Sequence, residues 1–396
     1  MLRILHWVFI TVALVIFGVG VAIWLFWDKP LHSPVSSQSA FRFLLDLAPQ
    51  RDRASVVYGF LPYWNVNDID LQPEVTHLGY FGLALAPDGT LITQEEGGQA
   101  PGFTALQSEK LLELANTIEA RGGRMELVVT QFYGDDTVAF LKSEEAQTTF
   151  LETLDSVILA YPVTGLNLDV EPSGIDFTPE LRDKFTAFVS RVRQHLNTKY
   201  DTISLSVDVY ASASSNDQLW DIPALANQVD YIVIMAYDYH RRSSQQAGPV
   251  APIFSGDDVW SEDINKHLKG FLAYAPAEKY LLGVPFYGYG WQTTDKSATA
   301  LTYPESGFTA TLDKVQEILA NKKSNGVVEH WNEHALAPYL SYTEDGETYI
   351  VYYENPRSIA YKLDLVRELG LSGMAIWALG YESGDRSLWD VIQQKI

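Results

Sequence analysis

Short apolar runs alternate with longer amphipathic segments along the chain from residue 55 onwards. The apolar runs have the length of β-strands and predict eight strands, at residues 55–61, 77–83, 125–131, 165–171, 203–210, 231–237, 280–285 and 373–379. Helical patterns fall between most of them, for example at residues 106–121 and 179–199, where Thr178 is a suitable N-cap. Strands that alternate with helices indicate parallel βα units, so the pattern predicts an α/β fold, a (β/α)8 TIM barrel.

The stretch between the seventh and eighth predicted strands is too long for a single helix. Within it, residues 311–321 have the pattern of a short helix. Residues 341–343 and 348–351 are rich in aromatic and β-branched residues, and the acidic turn between them contains a glycine, so they predict a hairpin. We therefore expect a small α+β insertion between barrel strands 7 and 8, spanning residues 292–355.

The amino terminus has the pattern of a membrane anchor. Residues 4–27 form an apolar run close to the roughly 20 residues that cross a bilayer, with tryptophans near both of its ends. Arg3 precedes the run and favours an amino terminus on the inner side. We therefore expect a single-pass transmembrane helix within residues 1–27 and a Ser- and Pro-rich tether at 28–54. An extracytoplasmic domain, residues 55–396, would follow at the cell membrane.

A cleaved signal peptide is the alternative reading of the same apolar run, and it would give a secreted protein. Its apolar region would be shorter, about 7–15 residues, with small residues at a cleavage site soon after. Residues 38–40, Gln-Ser-Ala, match such a site poorly. The length of the run favours the anchor.

Composition narrows the classes of ligand and cofactor. The formal net charge of -22 repels phosphate backbones, so we expect no nucleic-acid partner, and a neutral polymer or small molecule fits better. The chain has no Cys, which excludes zinc–thiolate sites, and its eight His are spread along the chain. It also lacks a Gly-rich phosphate loop and a dinucleotide fingerprint, so we expect neither a metal nor a cofactor. We expect the protein to act as a monomer.

The fourth predicted strand carries an unusual set of polar residues. Its side chains alternate between two faces, so its three apolar residues share one face and Asn167, Asp169 and Glu171 share the other. The apolar face would pack under the helices, which leaves the polar face inside the barrel. Buried carboxylates are costly, and Glu171 lies at the carboxyl end of the strand, where barrel enzymes hold their catalytic groups. A buried polar network or an exposed strand end is the alternative without a catalytic role.

The two carboxylates have the arrangement that acid catalysis needs. Asp169 and Glu171 point the same way, two residues apart, so they cannot both ionise freely and one pKa is raised. A carboxyl that stays protonated near neutral pH is a suitable general acid. Glu171 is the outer of the two and the better acid candidate, with Asp169 as its electrostatic partner.

The pattern Asn167-x-Asp169-x-Glu171 resembles the Asp-x-x-Asp-x-Asp-x-Glu signature of glycoside hydrolase family 18, which includes chitinases and related N-acetylglucosaminidases. Residues 235–238, Met-Ala-Tyr-Asp, resemble that family's element at the end of strand six, and residues 283–288 its strand-seven element. Residues 373–377 resemble its last strand, which ends in a tryptophan, and 353–362 resemble the helix start before that strand. An insertion after strand seven is also a feature of the family.

The resemblance implies hydrolysis of β-1,4-linked N-acetylglucosamine glycans with retention, in which the substrate's own N-acetyl oxygen attacks the anomeric carbon. It implies that Glu171 protonates the leaving oxygen, that Asp169 orients the acetamido group, and that Tyr237 hydrogen-bonds the acetamido oxygen. The residues expected to bind substrate are Trp377 beneath the sugar, together with Asn167, Asp238, Met235, Tyr63 and Tyr287.

The chain departs from the family pattern in two places. Thr164 and Asn167 stand where family members usually have Asp, and residues 130–134 replace the Ser-x-Gly-Gly run of many chitinases. An Asn at the middle position is similar to the spore-cortex-lytic branch, which cuts peptidoglycan, so either peptidoglycan or a chitin-like glycan is expected as substrate. We expect that the amide of Asn167 can donate a hydrogen bond to ionised Asp169, so that the pKa of Asp169 is lower than it would be above an Asp at position 167.

Two other functions fit the same fold. A non-catalytic, lectin-like barrel would bind glycans without cutting them, but such relatives typically lose the acidic Glu that Glu171 represents here. A structural envelope protein would not need polar residues inside the fourth strand. Hydrolysis of a fluorogenic chito-oligosaccharide distinguishes the enzyme from both alternatives.

Overall fold

The computed structural model describes residues 56–200, 202–215, 218–256, 259–321 and 326–396. The predicted anchor and tether lie outside these residues and stay predictions. Within the described ranges, every helix is too short or too polar to cross a bilayer.

Fifteen strands are described. They are β1 Val56–Pro62, β2 His77–Ala84, β3 Gln94–Glu95, β4 Gly98–Gln99, β5 Arg124–Tyr133, β6 Gly165–Ser173, β7 Ser204–Tyr210, β8 Tyr231–Met235, β9 Tyr280–Pro285, β10 Tyr287–Thr293, β11 Phe308–Thr311, β12 Val328–Asn332, β13 Ala337–Glu344, β14 Glu347–Tyr352 and β15 Gly373–Trp377. Eight of them close into a barrel in the order β1-β15-β9-β8-β7-β6-β5-β2, and every pair of neighbours in it is parallel. The eight strands expected from the sequence form this barrel, so the predicted barrel is confirmed.

The strand bounds differ most from the prediction at the catalytic end of the barrel. Strand β8 stops at Met235, two residues before the predicted end, because the chain turns there: the amide of Ala236 bonds the carbonyl of Ile234 at 2.7 Å. Asp238 then adopts a left-handed backbone conformation with φ 60°. Tyr237 therefore lies on a turn at the rim of the barrel.

The described helices lie mostly around the outside of the barrel, and one of them belongs to the insertion. They are α1 Pro101–Leu106, α2 Glu109–Ala120, α3 Gly134–Lys142, α4 Glu144–Ala160, α5 Pro179–Lys199, α6 Ile222–Ala226, α7 Ile264–Tyr274, α8 Leu312–Ala320, α9 Pro356–Leu369 and α10 Ser387–Lys395, with short 3-10 turns at Tyr63–Asn65, Ala211–Ser214 and Ala277–Lys279. Helix α5 has the predicted bounds, and the side chain of Thr178 accepts a hydrogen bond from the amide of Leu181 as its N-cap. Helix α2 begins three residues later than expected, after a cap by Ser108.

A five-stranded antiparallel sheet in the order β11-β10-β14-β13-β12 lies between barrel strands β9 and β15 in the chain. Its strands β13 and β14 form the expected hairpin, in which Asp345 and Gly346 both have positive φ, the conformation that a two-residue hairpin turn favours. Helix α8 is the expected short helix. The sheet begins at Tyr287, five residues before the predicted start of the insertion, because Phe286 is the single residue between β9 and β10.

The barrel interior is divided into an apolar and a polar side. Apolar side chains from β1, β5, β8, β9 and β15 form one buried cluster, which consists of Val56, Tyr58, Phe60, Val128, Val233, Leu281 and Ala375. The other side is lined by buried polar residues of β5, β6 and β7, namely Glu126, Asn167, Asp169, Ser204, Ser206 and Asp208. Leu166, Leu168 and Val170 instead pack outward with the helices. The polar side leads upward to the carboxyl ends of the strands.

Candidate active site

A cleft of about 810 Å³ opens at the carboxyl ends of the barrel strands. Eight of the nine predicted site residues line it: Tyr63, Asp169, Glu171, Met235, Tyr237, Asp238, Tyr287 and Trp377. Asn167 is the exception, because it is fully buried beneath the cleft. The structure thus brings together residues that are more than 300 positions apart in the chain.

Glu171 and Asp169 form a hydrogen-bonded carboxyl pair on β6. Burial raises the pKa of Asp169 well above its usual range, and the charges of Glu171 and Asp208 raise it further. Burial also raises the pKa of Glu171, against hydrogen bonds from Tyr210 and Asp169 that lower it. A hydrogen bond between two carboxyls requires one proton, so the pair holds a proton above the pH at which exposed carboxyls lose theirs.

Asn167 does not make the contact expected from the sequence. Its Nδ2 donates to Asp208 Oδ1 at 2.7 Å and to Ser206 Oγ at 2.9 Å, which uses both amide hydrogens. The prediction that this amide donates to Asp169 is therefore wrong. The reason is geometric: β7 lies beside β6 with Asn167 opposite Ser206, so a polar residue of the neighbouring strand reaches the amide nitrogen.

The turn after β8 is held by hydroxyl groups of the insertion. Tyr287 and Tyr289 on β10 both donate to Asp238 Oδ1, at 2.5 Å and 3.1 Å. Arg241 Nε lies 3.7 Å from Asp238 Oδ2. These contacts offset the cost of the left-handed backbone at Asp238 and fix the turn that carries Tyr237.

One wall of the cleft is aromatic. The ring of Trp377 packs edge-on against Phe81 at 4.8 Å between centroids and lies 5.8 Å from Phe60. Phe81 in turn contacts Trp64 and Phe132, at 6.2 Å and 6.4 Å. Flat aromatic faces of this kind suit the apolar face of a sugar ring, and rigid packing holds them in place.

Several polar residues that contact the predicted site residues were not themselves predicted. Tyr210 bonds the carboxyl of Glu171, Asp208 bonds Asn167, and Tyr289 and Arg241 contact Asp238. A signal for two of them was present: in residues 204–210, Ser-Leu-Ser-Val-Asp-Val-Tyr, every second residue is polar or carries a hydroxyl, as in β6. The alternation marks a second inward polar face.

Within the part of the chain that the structure describes, no group of three or more His, Asp or Glu side chains is placed to hold a metal ion. The polar groups of the cleft instead bond one another, as the Asp169–Glu171 and Tyr287–Asp238 contacts show. The arrangement is suited to proton transfer between carboxyls and a bound substrate.

Comparison with known proteins gives a consistent result. Residues 56–382 match the profile of Glycosyl hydrolases family 18. The chain is 26% identical over 351 residues to a cortical fragment-lytic enzyme of Bacillus subtilis (strain 168), with 84% of this chain and 72% of that protein covered. It is 30% identical over 412 residues to chitinase A1 of Niallia circulans, with 84% of this chain and 56% of that chitinase covered.

Solved structures with the same fold include a Group IV chitinase of Ostrinia furnacalis, with a TM-score of 0.74, 22% identity, and 86% of this chain and 99% of that chain covered. The spore cortex-lytic enzyme SleL of Bacillus cereus has a TM-score of 0.65 and 22% identity, with 87% of this chain and 75% of that chain covered. At these identities the likeness concerns the fold alone.

Proposed function

Because the chain belongs to glycosyl hydrolases family 18 and is a glycoside hydrolase, we propose that it cuts β-1,4 bonds of N-acetylglucosamine-containing glycans with retention. One observation carries the proposal: the protonated carboxyl pair of Glu171 and Asp169 opens into a cleft with one aromatic wall. The pair supplies a proton donor beside a negative partner, and the wall supplies a flat surface for a sugar ring.

The proposed reaction is substrate-assisted. Glu171 donates its proton to the leaving oxygen while the N-acetyl oxygen of the substrate attacks the anomeric carbon, so the enzyme needs no nucleophile of its own. Asp169 stabilises the cationic intermediate through its negative charge, and Tyr237 holds the acetamido oxygen. Glu171 then takes a proton from water, which attacks the anomeric carbon and releases the product.

We propose the glycan strand of peptidoglycan as the substrate. The support is the similarity to the cortical fragment-lytic enzymes of Bacillus subtilis and Bacillus anthracis, each 26% identical to the chain, together with the resemblance to the spore-cortex-lytic branch. Asn167 in place of the usual Asp points the same way. A chitin-like oligosaccharide is the second candidate, favoured by the 30% identity to chitinase A1.

The experiment compares both substrates on the full chain. Purified protein is incubated with peptidoglycan and with a fluorogenic chitotrioside, and the released fragments and their anomeric configuration are followed by mass spectrometry and NMR. The proposal expects cleavage with retained configuration, faster on peptidoglycan. Inverted configuration contradicts the mechanism, faster cleavage of the chitotrioside favours the second candidate, and binding without cleavage identifies a lectin-like barrel.

We also propose, from the sequence alone, that residues 4–27 anchor the enzyme with its barrel outside the cytoplasm. The test is fractionation followed by proteolysis of intact cells. An anchored enzyme stays in the membrane fraction, and protease added outside degrades the barrel. A soluble secreted form that begins near Phe41 contradicts the anchor and supports a cleaved signal peptide.

A further inference from the structure

Asp208 is a buried carboxyl beside the catalytic pair that no expectation from the sequence included. It lies on the inner face of β7 and is 2% exposed. Leu168 pairs with Val207 in the register of β6 and β7, so Asp208 lies at the level of Asp169 on the neighbouring strand. Its one described hydrogen bond comes from Asn167 Nδ2 at 2.7 Å.

The surroundings of Asp208 disfavour the ionised form of its carboxyl. The charged groups that act on it, Glu171 and Glu126, are themselves carboxyls, and both raise its pKa in addition to the effect of burial. The hydrogen bond from Asn167 partly offsets this effect. A buried acid among acids lowers the stability of the fold unless it stays protonated, so a neutral residue here would be easier to accommodate.

The position of Asp208 also fixes the amide of Asn167. Both hydrogens of that amide are used, by Asp208 and Ser206, which turns Nδ2 toward β7. The oxygen Oδ1 of Asn167 is then left without a partner among the described residues, as is Oδ1 of Asp169. Asp208 thus determines which side of the amide faces β7.

We propose that Asp208 is a positioning residue of the catalytic site, which supplies from β7 the buried carboxyl beside Asp169 and Glu171 and orients Asn167 beneath them. The proposal rests on the proposed function, since Glu171 is its acid. The three carboxyls lie close together at the base of the cleft, and a negative charge on one disfavours ionisation of the next. Asp208 therefore helps Glu171 to keep its proton as the pH rises.

Several groups from other elements interact electrostatically with Asp208. They are Asp169 and Glu171 on β6, Glu126 on β5, Tyr58 on β1 and Tyr237 after β8. Glu171 is the group whose proton the reaction uses. The pH at which activity is lost on the alkaline side therefore reports the pH at which Glu171 loses that proton.

The test is the pH profile of kcat/KM for the full chain and for Asp208→Asn. The substituted amide oxygen still accepts from Asn167, so the hydrogen bond is kept and only the acid is lost. The proposal expects the alkaline limb of Asp208→Asn to lie about one pH unit lower than that of the unsubstituted chain. At lower pH, where Glu171 is protonated in both proteins, their kcat/KM values should agree within about threefold. A structural role alone would lower the rate by the same factor at every pH.

Two further variants complete the design. Glu180→Gln removes one exposed carboxyl of α5 and should leave the limb in place. The exchange Asn167→Asp with Asp208→Asn returns the carboxyl to the neighbouring strand, and should restore the alkaline limb toward its position in the unsubstituted chain. A limb that Asp208→Asn does not move, or that the exchange does not restore, overturns the proposal.

A second readout separates this inference from the proposed function. In the folded chain labelled with 13C at aspartate carboxyls, the NMR titration of Asp169 should have a lower midpoint in Asp208→Asn, whether or not a glycan is cut. An unchanged midpoint overturns the inference. A chain that cuts neither peptidoglycan nor the chitotrioside, but shows this shift, contradicts the proposed function and leaves the inference standing.

Discussion

The hydroxyl of Tyr287 donates a 2.5 Å hydrogen bond to Oδ1 of Asp238, although 49 residues separate them in the chain. Tyr287 begins the first strand of the inserted sheet, and Asp238 belongs to the turn after barrel strand β8. The insertion thus holds the turn that carries Tyr237. Its first strand is therefore part of the support of the catalytic cleft.

Removing this contact should weaken catalysis, because it loosens the turn that carries Tyr237. A hydrogen bond to a charged group contributes about 1.5–3 kcal/mol, and every 1.4 kcal/mol is a factor of about ten. Tyr289 still donates to Asp238 at 3.1 Å, so Tyr287→Phe should lower kcat/KM by about tenfold. Substituting both tyrosines should lower it further. Tyr349→Phe, on the same sheet but outside the cleft lining, is the control. A double variant with unchanged kcat/KM contradicts the role of the insertion.

Trp377 should act through substrate binding. Its ring lines the cleft and packs against Phe81, so its orientation is fixed before the sugar arrives. Covering a large aromatic face is worth about 1.5–3 kcal/mol, so Trp377→Ala should raise KM by roughly 10- to 100-fold. Trp377→Phe keeps a flat ring and should raise it less.

The matched control for Trp377 is Trp331→Ala. Trp331 belongs to the insertion and lies outside the cleft lining. Its ring packs under the guanidinium of Arg357. Steady-state kinetics on a single oligosaccharide compare the variants. A KM for Trp377→Ala equal to that of the control excludes Trp377 as a platform for the sugar.

The barrel and the catalytic residues of β6 could be predicted from the sequence, because the pattern within a single strand determines which of its side chains share a face. Alternation within β6 places Asn167, Asp169 and Glu171 on one face whatever surrounds the strand. Partners across strands depend on register, which a single strand does not reveal. The bond from Asn167 to Asp208 spans 41 residues, so the amide was assigned to the wrong acceptor. The Tyr287–Asp238 contact was missed for the same reason.

His77 should make the fold sensitive to mild acid. Burial, and then the charge of Arg124, lower the pKa of His77 from 6.5 to about 4. The unfolded chain takes up a proton on this residue below pH 6.5, while the folded chain does so only near pH 4. The free energy of unfolding should therefore fall as pH drops through that window, by about 3 kcal/mol at about 1.4 kcal/mol per pH unit.

Urea unfolding between pH 7 and pH 4 measures this effect. In His77→Gln the decline over the window should be smaller by about that amount. His334→Gln, which removes an exposed histidine, should keep the decline of the unsubstituted chain. Equal slopes for His77→Gln and the unsubstituted chain contradict a neutral, buried His77.

Glu171 is the proposed general acid of the reaction. Glu171→Gln keeps the shape of the side chain and removes its proton, and general acid catalysis contributes about 10²–10⁴ in rate. The decisive measurement is kcat/KM of Glu171→Gln on the glycan that the unsubstituted chain cuts fastest, with Glu180→Gln as the control and circular dichroism to verify folding. If Glu171 is the acid, kcat/KM falls at least about 100-fold in a folded protein and is unchanged in the control. A folded Glu171→Gln variant that retains most of the activity contradicts that role.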